Sequence, residues 1–389
     1  MGPCEAFCVG FLDGVKVVDT TRLLPGGYAT MLLSDMGAEV VKVEQPGLGD
    51  YMRATPPTRK GESPVHATVN RNKLSIGLDL KAAEGKEVLR RLIKGADVFV
   101  EGFRPGAMKR LGFSFDDVRR LNPKIVYCSI SAFGESSELS LAPGHDINFQ
   151  AMGGTLDYPR RAEVPLLQLS DMVAGTLAAV AILGALARRR KAVYIDVPIV
   201  QSLLSWMVVP VSAYMVSGKA PSEGHSLMFG STPYYNLYRT SDGKYVAVAA
   251  IEEEFWHNLV VELGVPQLEH KRFGTAPERR EVASTLKRVF ATKPRDEWAR
   301  LLVHKNTCAT PVLSVEEALN SDWARRASAL IRVKGNGRVL NGPLRSRPPM
   351  RSAPFAPAPY LGENTDEIMK RLGYSRAKVA SLRGKHVLE

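Results

Sequence analysis

The sequence predicts an α/β protein with a large doubly wound domain and a smaller α+β domain. Over the first half of the chain, short apolar runs alternate with helix-like segments, which is typical of parallel strands joined by helices. The length of 389 residues favours two domains, because one core rarely grows beyond about 250–300 residues. After about residue 220 the pattern changes to a hairpin followed by amphipathic helices. We therefore predict a large domain over 1–220, a small domain over 221–335, and a linker with a C-terminal return to the large domain over 336–389.

The strands of the large domain are predicted from apolar runs bounded by glycine or polar residues. The runs are VKVVD (15–19), EVVKVE (39–44), LSIGLDL (74–80), DVFVEGF (97–103), KIVYCSISAFG (124–134) and VYIDVPI (193–199). The segments 28–38 and 82–96 predict helices, and TTRLLPGG (20–27) predicts a loop. The 16 uncharged residues of 172–187 predict a buried helix, since they fall short of the roughly 20 needed to cross a bilayer.

The second half of the chain predicts different structure. The segment 230–251 contains a Ser-Asp-Gly turn between apolar runs and predicts a hairpin. Three amphipathic helices are predicted after it, in 252–265, 278–292 and 295–306. The proline-rich segment 342–362 predicts an extended linker across a surface, and the tail after it is helical again.

The composition narrows the classes of function. The 52 basic and 40 acidic side chains give a formal net charge of +12, which suits a polyanionic small molecule, an acidic membrane or nucleic acid. The sequence has no nucleic-acid-binding signature, and the basic run 188–191 is expected at the C-terminal end of a helix. We therefore expect a polyanionic small molecule as ligand, and neither nucleic acid nor a membrane as partner.

Cysteines and missing motifs exclude further classes. Cys4, Cys8, Cys128 and Cys308 are too few for a disulfide framework and lack zinc-ligand spacing, so we expect a cytoplasmic protein without a metal. The first 14 residues have no basic segment before an apolar one, unlike a signal peptide. The loop after the first strand lacks GxGxxG, and no P-loop, HExxH or GxSxG motif occurs. Nicotinamide-dependent dehydrogenases, P-loop NTPases, zinc proteases and α/β-hydrolases are therefore disfavoured.

Three segments carry candidate acid–base residues, each near the start of a predicted helix. His145 and Asp146 follow Pro-Gly in PGHDINFQAMGG (143–154), where the positive end of the helix dipole opposes protonation of the histidine. Asp171 is at the head of the long apolar helix, and Glu252 begins another helix. Each has a plain structural alternative, an N-cap for either aspartate and a favourable first-turn charge for Glu252. Such groups perform general acid–base chemistry only if the fold brings them to one cleft, which spacing alone does not establish.

Several long motifs run collinearly along the chain. They include VKVVDTTRLLPGGYATMLLSDMGAEVVKVEQPGLGD, NRNKLSIGLDLK, GADVFVEGFRPGAMKRLG, NPKIVYCSISAFG, PGHDINF and GSTPYYNLYRTSDGKYVAVAAIE. Over residues 12–385 the chain resembles the superfamily of class III (CaiB/BaiF-type) CoA-transferases and α-methylacyl-CoA racemases. The resemblance implies a Rossmann-like large domain and an interlocked homodimer. Each active site is then expected between the large domain of one chain and the small domain of the other.

The resemblance is stronger to the racemase branch. Gly144-His145-Asp146 matches the GHD motif of racemases, whereas transferases commonly have tyrosine or phenylalanine in place of the histidine. Glu252 stands where racemases have a catalytic-site glutamate and some transferases have a glycine-rich loop. The resemblance thus implies a racemase of lipid metabolism, in which His145 acts on the S epimer, Asp171 on the R epimer, and Glu252 orients or charge-stabilises His145. A CoA-transferase with Asp171 as nucleophile is the alternative, and a non-catalytic CoA-binding protein is a third.

The resemblance also implies how CoA is bound. The expected contacts are Gln45, Leu78, Asp79, Leu80, Lys81, Arg104, Arg110, Gly144, Asp146, Ile147, Asn148 and Phe149. CoA is part of the acyl-CoA substrate, so no separate cofactor is expected, and backbone N–H groups at the start of the Asp171 helix are candidates to bind the enolate oxygen. Two departures from the family pattern matter. Gln45 replaces a common arginine beside the adenine, which predicts weaker binding there, and the turn after the long helix is shortened to RRRKAVYID (188–196).

Overall fold

The computed structural model describes residues 10–58, 62–157, 163–188, 191–219, 232–333 and 337–389. The chain divides into two compact units. The first takes its described residues from the segments 1–155, 163–206 and 325–389, and the second from 156–162 and 207–324. Several predicted features lie outside the described residues: the domain boundaries at 220/221 and 335/336, the N-terminal Cys4 and Cys8, and Arg189 and Arg190 of the shortened loop.

Eleven strands are found in the described part of the chain. In chain order they are β1 Lys16–Asp19, β2 Glu39–Glu44, β3 Leu74–Gly77, β4 Val98–Glu101, β5 Val126–Ser131, β6 Val193–Pro198, β7 Tyr235–Arg239, β8 Tyr245–Ala249, β9 Ala309–Pro311, β10 Leu330–Val333 and β11 Gly337–Leu340. The first six form one parallel sheet in the order β3-β2-β1-β4-β5-β6. This confirms the predicted α/β class and parallel sheet, although β3, β4 and β5 end two or three residues earlier than predicted.

The helices of the described residues alternate with these strands. In chain order they are α1 Leu23–Asp35, α2 Pro64–Val69, α3 Ala83–Lys94, α4 Ala107–Leu111, α5 Phe115–Leu121, α6 Asp146–Met152, α7 Leu169–Arg188, α8 Ile199–Trp206, α9 Val208–Ser217, α10 Glu253–Glu262, α11 Ala276–Phe290, α12 Arg295–Leu302, α13 Val315–Asn320, α14 Asp322–Arg326, α15 Thr365–Arg371 and α16 Arg376–Gly384.

Helices cover both faces of the parallel sheet. Successive side chains of a strand point to opposite faces, and in β1 the neighbours Val17 and Val18 belong to different buried clusters. The Val17 cluster includes Leu33 of α1, and the Val18 cluster includes Leu89 of α3 and Met369 of α15. The sheet is therefore doubly wound, as the alternating sequence pattern predicts.

Helix α1 corrects one prediction. Its first residue is Leu23, so the predicted loop 20–27 ends at residue 22 and the helix starts five residues earlier than expected. Leu23 has a φ of +65°, and its N–H donates to Oδ1 of Asp50 at 3.0 Å. Pro25 is tolerated because the first turn of a helix needs no N–H at that position. At Gly26 a Cβ atom would lie 2.3 Å from the side chain of Thr21, so only glycine fits.

Helix α7 differs from the sequence-based expectation in two respects. It begins at Leu169, so Asp171 is its third residue and not its N-cap. The helix packs closely on α1, where a Cβ atom at Gly175 would lie 2.6 Å from the carbonyl oxygen of Pro25. Its opposite face is exposed, with Val180 59% accessible. The predicted buried helix is therefore buried on one face only.

Two segments meet a length and composition criterion for membrane spans. One is α7, and the other is the pair α8 and α9, which are bent by 73° relative to each other. Core helices of proteins meet the same criterion, so it carries little weight by itself.

The second unit has its own sheet and core. β7 and β8 form the predicted antiparallel hairpin, and β9 pairs with β8. Helices α10, α11 and α12 correspond to the three predicted amphipathic helices. They bury Trp256, Phe290 and Trp298 against the hairpin residues of one cluster.

The proline-rich segment lies on the first unit as an extended strap. It contains no helix or strand between β11 and α15. The carbonyl of Met350 accepts from the N–H of Phe11, and the carbonyl of Pro359 accepts from the guanidinium of Arg53. After α16 the chain returns to the sheet, where Leu388 bridges to Leu78. The predicted extended linker and helical tail are confirmed.

Candidate active site

The candidate site lies at the carboxyl edge of the six-stranded sheet, where the strand order reverses. β1 and β4 are parallel neighbours, but the chain leaves β1 toward β2 and leaves β4 toward β5 on the other side. Loops that diverge from adjacent parallel strands open a crevice, which is the usual ligand position in doubly wound folds. Here the segments 20–22 and 102–104 follow the two strands and line cavities.

The larger cavity brings together two of the predicted catalytic residues. Its volume is about 650 Å³, and both His145 and Asp171 line it. Four predicted CoA contacts line the same cavity: Arg104, Gly144, Asn148 and Phe149. The volume is within the range of small-molecule sites, about 300–1,000 Å³. One histidine, one carboxyl and two arginines, Arg22 and Arg104, thus share a cavity of small-molecule size.

Asp146 joins the helices that carry these two residues. Its Oδ1 atom accepts from the hydroxyl of Ser170 at 2.5 Å and from the N–H of Asp171 at 3.1 Å. Its Oδ2 atom accepts from the amide of Gln150 at 2.6 Å. Asp146 is buried and is not among the residues that line the cavities. It therefore ties the start of α6, directly after His145, to the start of α7.

His145 is the N-cap residue of α6, so the alternative of an Asp146 N-cap is wrong. The backbone of His145 is extended, and its N–H donates a hydrogen bond to Oδ1 of Asn148 at 3.0 Å. His145 is exposed and lines the larger cavity. Its backbone is thus fixed at the start of α6, with the side chain at the cavity wall.

The carboxyl of Asp171 has an unusual environment. Burial raises its pKa to about 7, and the nearby negative charge of Asp146 contributes in the same direction. A carboxyl with such a pKa is present in both its protonated and its ionised form near neutral pH. Asp171 is therefore suited to donate a proton in one direction of a reaction and to accept one in the other.

Two of the backbone N–H groups at the start of α7, where oxyanion donors were predicted, have partners within the protein. The N–H of Asp171 donates to Asp146, and the N–H of Met172 donates to the carbonyl of Gln168 at 3.1 Å. Both N–H groups are occupied, so neither is free to bind an enolate oxygen.

A smaller cavity holds most of the other predicted CoA contacts. It has a volume of about 130 Å³ and is lined by Gln45, Leu78, Asp79, Leu80 and Lys81. These residues follow β2 and β3 at the same edge of the sheet. The two cavities share Thr21, Arg22 and Phe103 in their linings, so they adjoin.

Sequence reasoning missed Arg22 and the buried charges around it. Arg22 lines both cavities, directly before α1. Lys42 and Asp50 form a buried ion pair of 3.0 Å beside the same loop. A usable signal was the alternation of Lys42 with valines in EVVKVE, because a lysine inside a strand of a parallel sheet needs a buried partner.

Four predicted residues do not line these cavities, and the buried Asp146 described above is one of them. Glu252 belongs to the second unit, where it is the N-cap residue of α10. Arg110 lies in α4 and Ile147 in α6, and neither lines either cavity. Their roles in catalysis or CoA binding stay predictions.

In the described ranges, no group of three or more His, Cys, Asp or Glu side chains is arranged to hold a metal ion. The charged or titratable groups that line the cavities include an imidazole, carboxyls, the ammonium of Lys81 and two guanidinium groups. Their chemistry is proton transfer and anion binding.

Comparison with known proteins identifies the family to which the chain belongs. A sequence model of CoA-transferase family III matches residues 12–365. The α-methylacyl-CoA racemase of Homo sapiens is 32% identical, over 97% of this chain and 97% of its own. Succinyl-CoA:glutarate CoA-transferase of Homo sapiens is 28% identical, over 93% of this chain and 86% of its own. The crystal structure of a CaiB/BaiF family protein from Brucella suis superposes with a TM-score of 0.81 at 27% identity, over 94% of this chain and 100% of that one.

Proposed function

We propose that this chain, which belongs to CoA-transferase family III, is a racemase that inverts the α-carbon of 2-methylacyl-CoA thioesters. One observation carries the proposal: His145 and Asp171, a histidine and a carboxyl with a raised pKa, line the same cavity. Inversion of a carbon centre needs one group to remove a proton and a second group to deliver one to the opposite face. Similarity to α-methylacyl-CoA racemases at 32–33% identity supports the same assignment.

The proposed reaction takes one proton from the α-carbon and returns one to it. The thioester carbonyl acidifies the α C–H bond, so that removal of the proton leaves an enolate. With the S epimer, His145 takes the proton and Asp171 delivers its own to the opposite face. With the R epimer the two roles are exchanged. The pair carries a single proton before and after each turnover, so these steps need no further cofactor, and CoA enters as part of the substrate.

Charge that develops on the enolate oxygen needs stabilisation, and the amino end of α1 supplies positive charge for it. Leu23, Pro25 and Gly26 of the first turn of α1 line the larger cavity. The N–H of Leu23 is bound to Asp50, proline has no N–H, and in a helix that begins at Leu23 the N–H of Gly26 bonds to the carbonyl of Arg22. We therefore assign the role to the positive end of the helix dipole and not to a single N–H group.

The CoA moiety is proposed to run from the larger cavity into the smaller one. Its thioester end would lie near His145 and Asp171, and its far end near residues 78–81 and Gln45. Lys81 and Arg104 supply positive charge along this path. Phosphate groups require such cations when they leave water.

We also propose that the chain forms a homodimer in which Glu252 of one copy acts on His145 of the other. Apolar surface in each unit supports self-association. Helix α9 buries none of its residues, and Val216 is 92% exposed. The outer face of α7, with Val180, is exposed as well. Contiguous exposed apolar surface of this kind marks interfaces between proteins.

A CoA-transferase with Asp171 as nucleophile is the second candidate. The 28% identity to a succinyl-CoA:glutarate CoA-transferase favours it, and so does the position of Asp171 in the cavity. The transferase reaction passes through a covalent acyl–aspartyl species, which hydroxylamine cleaves. The racemase reaction forms no such species, so the two candidates are separable.

The experiment is incubation of the purified protein with a (2R)-methylacyl-CoA in deuterated water, followed by mass and chirality analysis. The racemase incorporates deuterium at the α-carbon with loss of optical purity, and His145→Ala abolishes the loss of optical purity. Retention of the proton and the chirality, together with hydroxylamine trapping of a covalent intermediate, would assign the protein to the transferases instead.

A further inference from the structure

The side chain of Arg22 lies on the wall that the two cavities share. It lines the cavity that contains His145 and Asp171 and also the cavity formed by residues 78–81 and Gln45. Its backbone is extended, with φ −130° and ψ 157°, and it is the N-cap residue of α1. A molecule that occupies both cavities therefore passes this side chain.

The guanidinium of Arg22 is held in place without a carboxylate. It donates to the hydroxyl of Tyr51 at 2.9 Å and to Oε1 of Gln45 at 3.4 Å. Its central carbon lies 5.1 Å from the ring centre of Tyr51 and 5.4 Å from that of Phe103. Aromatic faces attract a guanidinium but leave its N–H groups free at the edge. Two of its five N–H donors are used in these hydrogen bonds, and no acidic side chain pairs with it among the described residues.

The loop that carries Arg22 is fixed on both sides by one buried ion pair. The ammonium of Lys42 donates to the carbonyl of Thr21 at 3.0 Å and contacts Asp50 at 3.0 Å. The carboxylate of Asp50 accepts from the N–H of Leu23 at 3.0 Å. Lys42 and Asp50 are both almost fully buried. The residues before and after Arg22 are therefore anchored, which orients its side chain toward the cavities.

Among the described residues, no acidic side chain pairs with Arg22 to neutralise its positive charge. Glu44 lines the smaller cavity, but its carboxylate is paired with Arg53 at 2.7 Å. Asp50 is paired with Lys42. Gln45, which directly follows β2 and lines the smaller cavity, is neutral. A preformed, unpaired guanidinium beside a neutral amide is an arrangement that favours an anion.

We propose that Arg22 binds a phosphate group of the CoA moiety and supplies, beside Gln45, the positive charge at this wall. The inference rests on the proposed function in one respect, that a CoA thioester is the substrate. It adds a phosphate-binding residue outside the CoA contacts expected from the sequence. CoA has phosphate in two places, the diphosphate and the 3′-phosphate of the ribose, and both offer the same chemistry to a guanidinium.

The test is calorimetric titration of wild type and Arg22→Met with CoA, 3′-dephospho-CoA and pantetheine. A charge-assisted contact of this type predicts a loss of about 10- to 100-fold in CoA affinity for Arg22→Met. Pantetheine, which contains no phosphate, should bind both proteins equally. If the affinity for 3′-dephospho-CoA falls as much as that for CoA, Arg22 binds the diphosphate. If it does not fall, Arg22 binds the 3′-phosphate.

Controls separate phosphate binding from damage to the loop. Arg119→Met removes an exposed arginine of α5 that lines neither cavity, and it should leave CoA affinity unchanged. Arg22→Lys keeps the charge and should restore part of the affinity. In turnover, Arg22→Met should raise KM for acyl-CoA and change kcat little.

Two results would overturn the inference. One is unchanged CoA affinity in Arg22→Met, and the other is an equal loss for CoA and pantetheine, which would indicate a displaced loop. In either case wild type still binds CoA and the proposed function stands. If wild type binds no CoA at all, the proposed function fails together with the inference.

Discussion

At Asp171, burial and the charge of Asp146 favour the protonated carboxyl and raise its pKa from 3.8 to about 7. Between these two values the folded protein holds more proton on this group than the unfolded chain does. The free energy of unfolding therefore falls as pH rises through this window. Above pH 7 the ionised carboxylate opposes folding. The same ionised form is the one that takes the proton of the R epimer in the proposed reaction.

Replacement of Asp171 by asparagine should therefore stabilise the protein while it abolishes α-proton exchange. A pKa difference of about three units corresponds to about 4 kcal/mol, and partial exposure of the group reduces the expected gain to about 2–4 kcal/mol at pH 8. At pH 4 the two proteins should have nearly equal stability. Urea unfolding of wild type and Asp171→Asn at both pH values measures the difference.

Asp116→Asn is a suitable comparison, because Asp116 is an exposed residue of α5. It should show no gain at pH 8. Equal stability of Asp171→Asn and wild type at pH 8 would mean that the carboxyl of Asp171 titrates in its ordinary range, and the acid–base role assigned to it would lose its physical basis.

The two residues proposed as the catalytic pair were candidates from the sequence, and both line the larger cavity, whereas Arg22 was not a candidate. His145 and Asp171 were identified because each follows a recognisable helix-start pattern and a family motif. The importance of Arg22 depends on Tyr51 and Phe103, which lie 29 and 81 positions later in the chain. No local pattern around residue 22 indicates that these rings meet it. Contacts between distant loops arise only when the parallel strands bring their carboxyl ends to one edge.

At the scale of elements, the packing of α7 on α1 positions the two sides of the larger cavity. Asp171 is in the first turn of α7, and Gly26 is in the first turn of α1. Gly175, one turn after Asp171, allows close approach because a Cβ atom there would lie 2.6 Å from the carbonyl oxygen of Pro25. The distance between the proposed base and the positive amino end of α1 thus depends on this glycine.

Gly175→Ala should therefore destabilise the protein and slow α-proton exchange. Forcing a methyl group into a filled contact costs about 1–3 kcal/mol, and separation of the helices moves Asp171 away from Gly26. Gly184→Ala is the matched control in the same helix, because no atom lies within 4 Å of a Cβ at that position. It should be neutral or stabilising by up to about 1 kcal/mol, since alanine favours helix. Urea unfolding and deuterium exchange into substrate measure both variants.

Retained stability and exchange in Gly175→Ala would show that α7 and α1 can separate without consequence. The amino end of α1 would then not be the group that stabilises the enolate.

The strands and most helices follow from local patterns, but the start of α1 does not. Apolar runs such as VKVVD and EVVKVE identify buried strands because both faces of a parallel sheet are covered. By local pattern the segment LLPGG (23–27) predicts a loop, because proline and glycine are poor helix formers. Leu23 nevertheless begins a helix, because Asp50, 27 residues later, holds its N–H and the fold fixes its positive φ. A tertiary contact overrides the local preference here.

At the scale of the whole molecule, the proposed catalytic residues are divided between the two compact units. His145 and Asp171 belong to the first unit, and Glu252 to the second. If a homodimer forms with shared sites, each site uses the first unit of one copy and the second unit of the other. The mass in solution should then be twice the 42.6 kDa of one chain. Light scattering after gel filtration measures it.

Mixed dimers test which copy supplies Glu252. Asp171→Asn and Glu252→Gln should each be inactive alone. When the two are co-expressed with different tags, a shared-site heterodimer combines both changes in one site and leaves the other site wild type. Random pairing makes half of the dimers mixed, so roughly a quarter of the wild-type exchange rate per chain should return. If Glu252 acts within its own chain, neither site of the mixed dimer is intact and no activity returns.

The pair His145→Ala and Asp171→Asn provides the control, because both changes lie in the first unit. In a shared-site dimer each of its two sites receives one defective first unit, so mixing should restore nothing. Recovery with this control pair would reveal recombination or exchange of wild-type protein, and it would invalidate the comparison. Recovery with Asp171→Asn and Glu252→Gln alone therefore requires that the two units of one site come from different chains. The exposed apolar faces of α7 and α9 would then be covered in the functional protein.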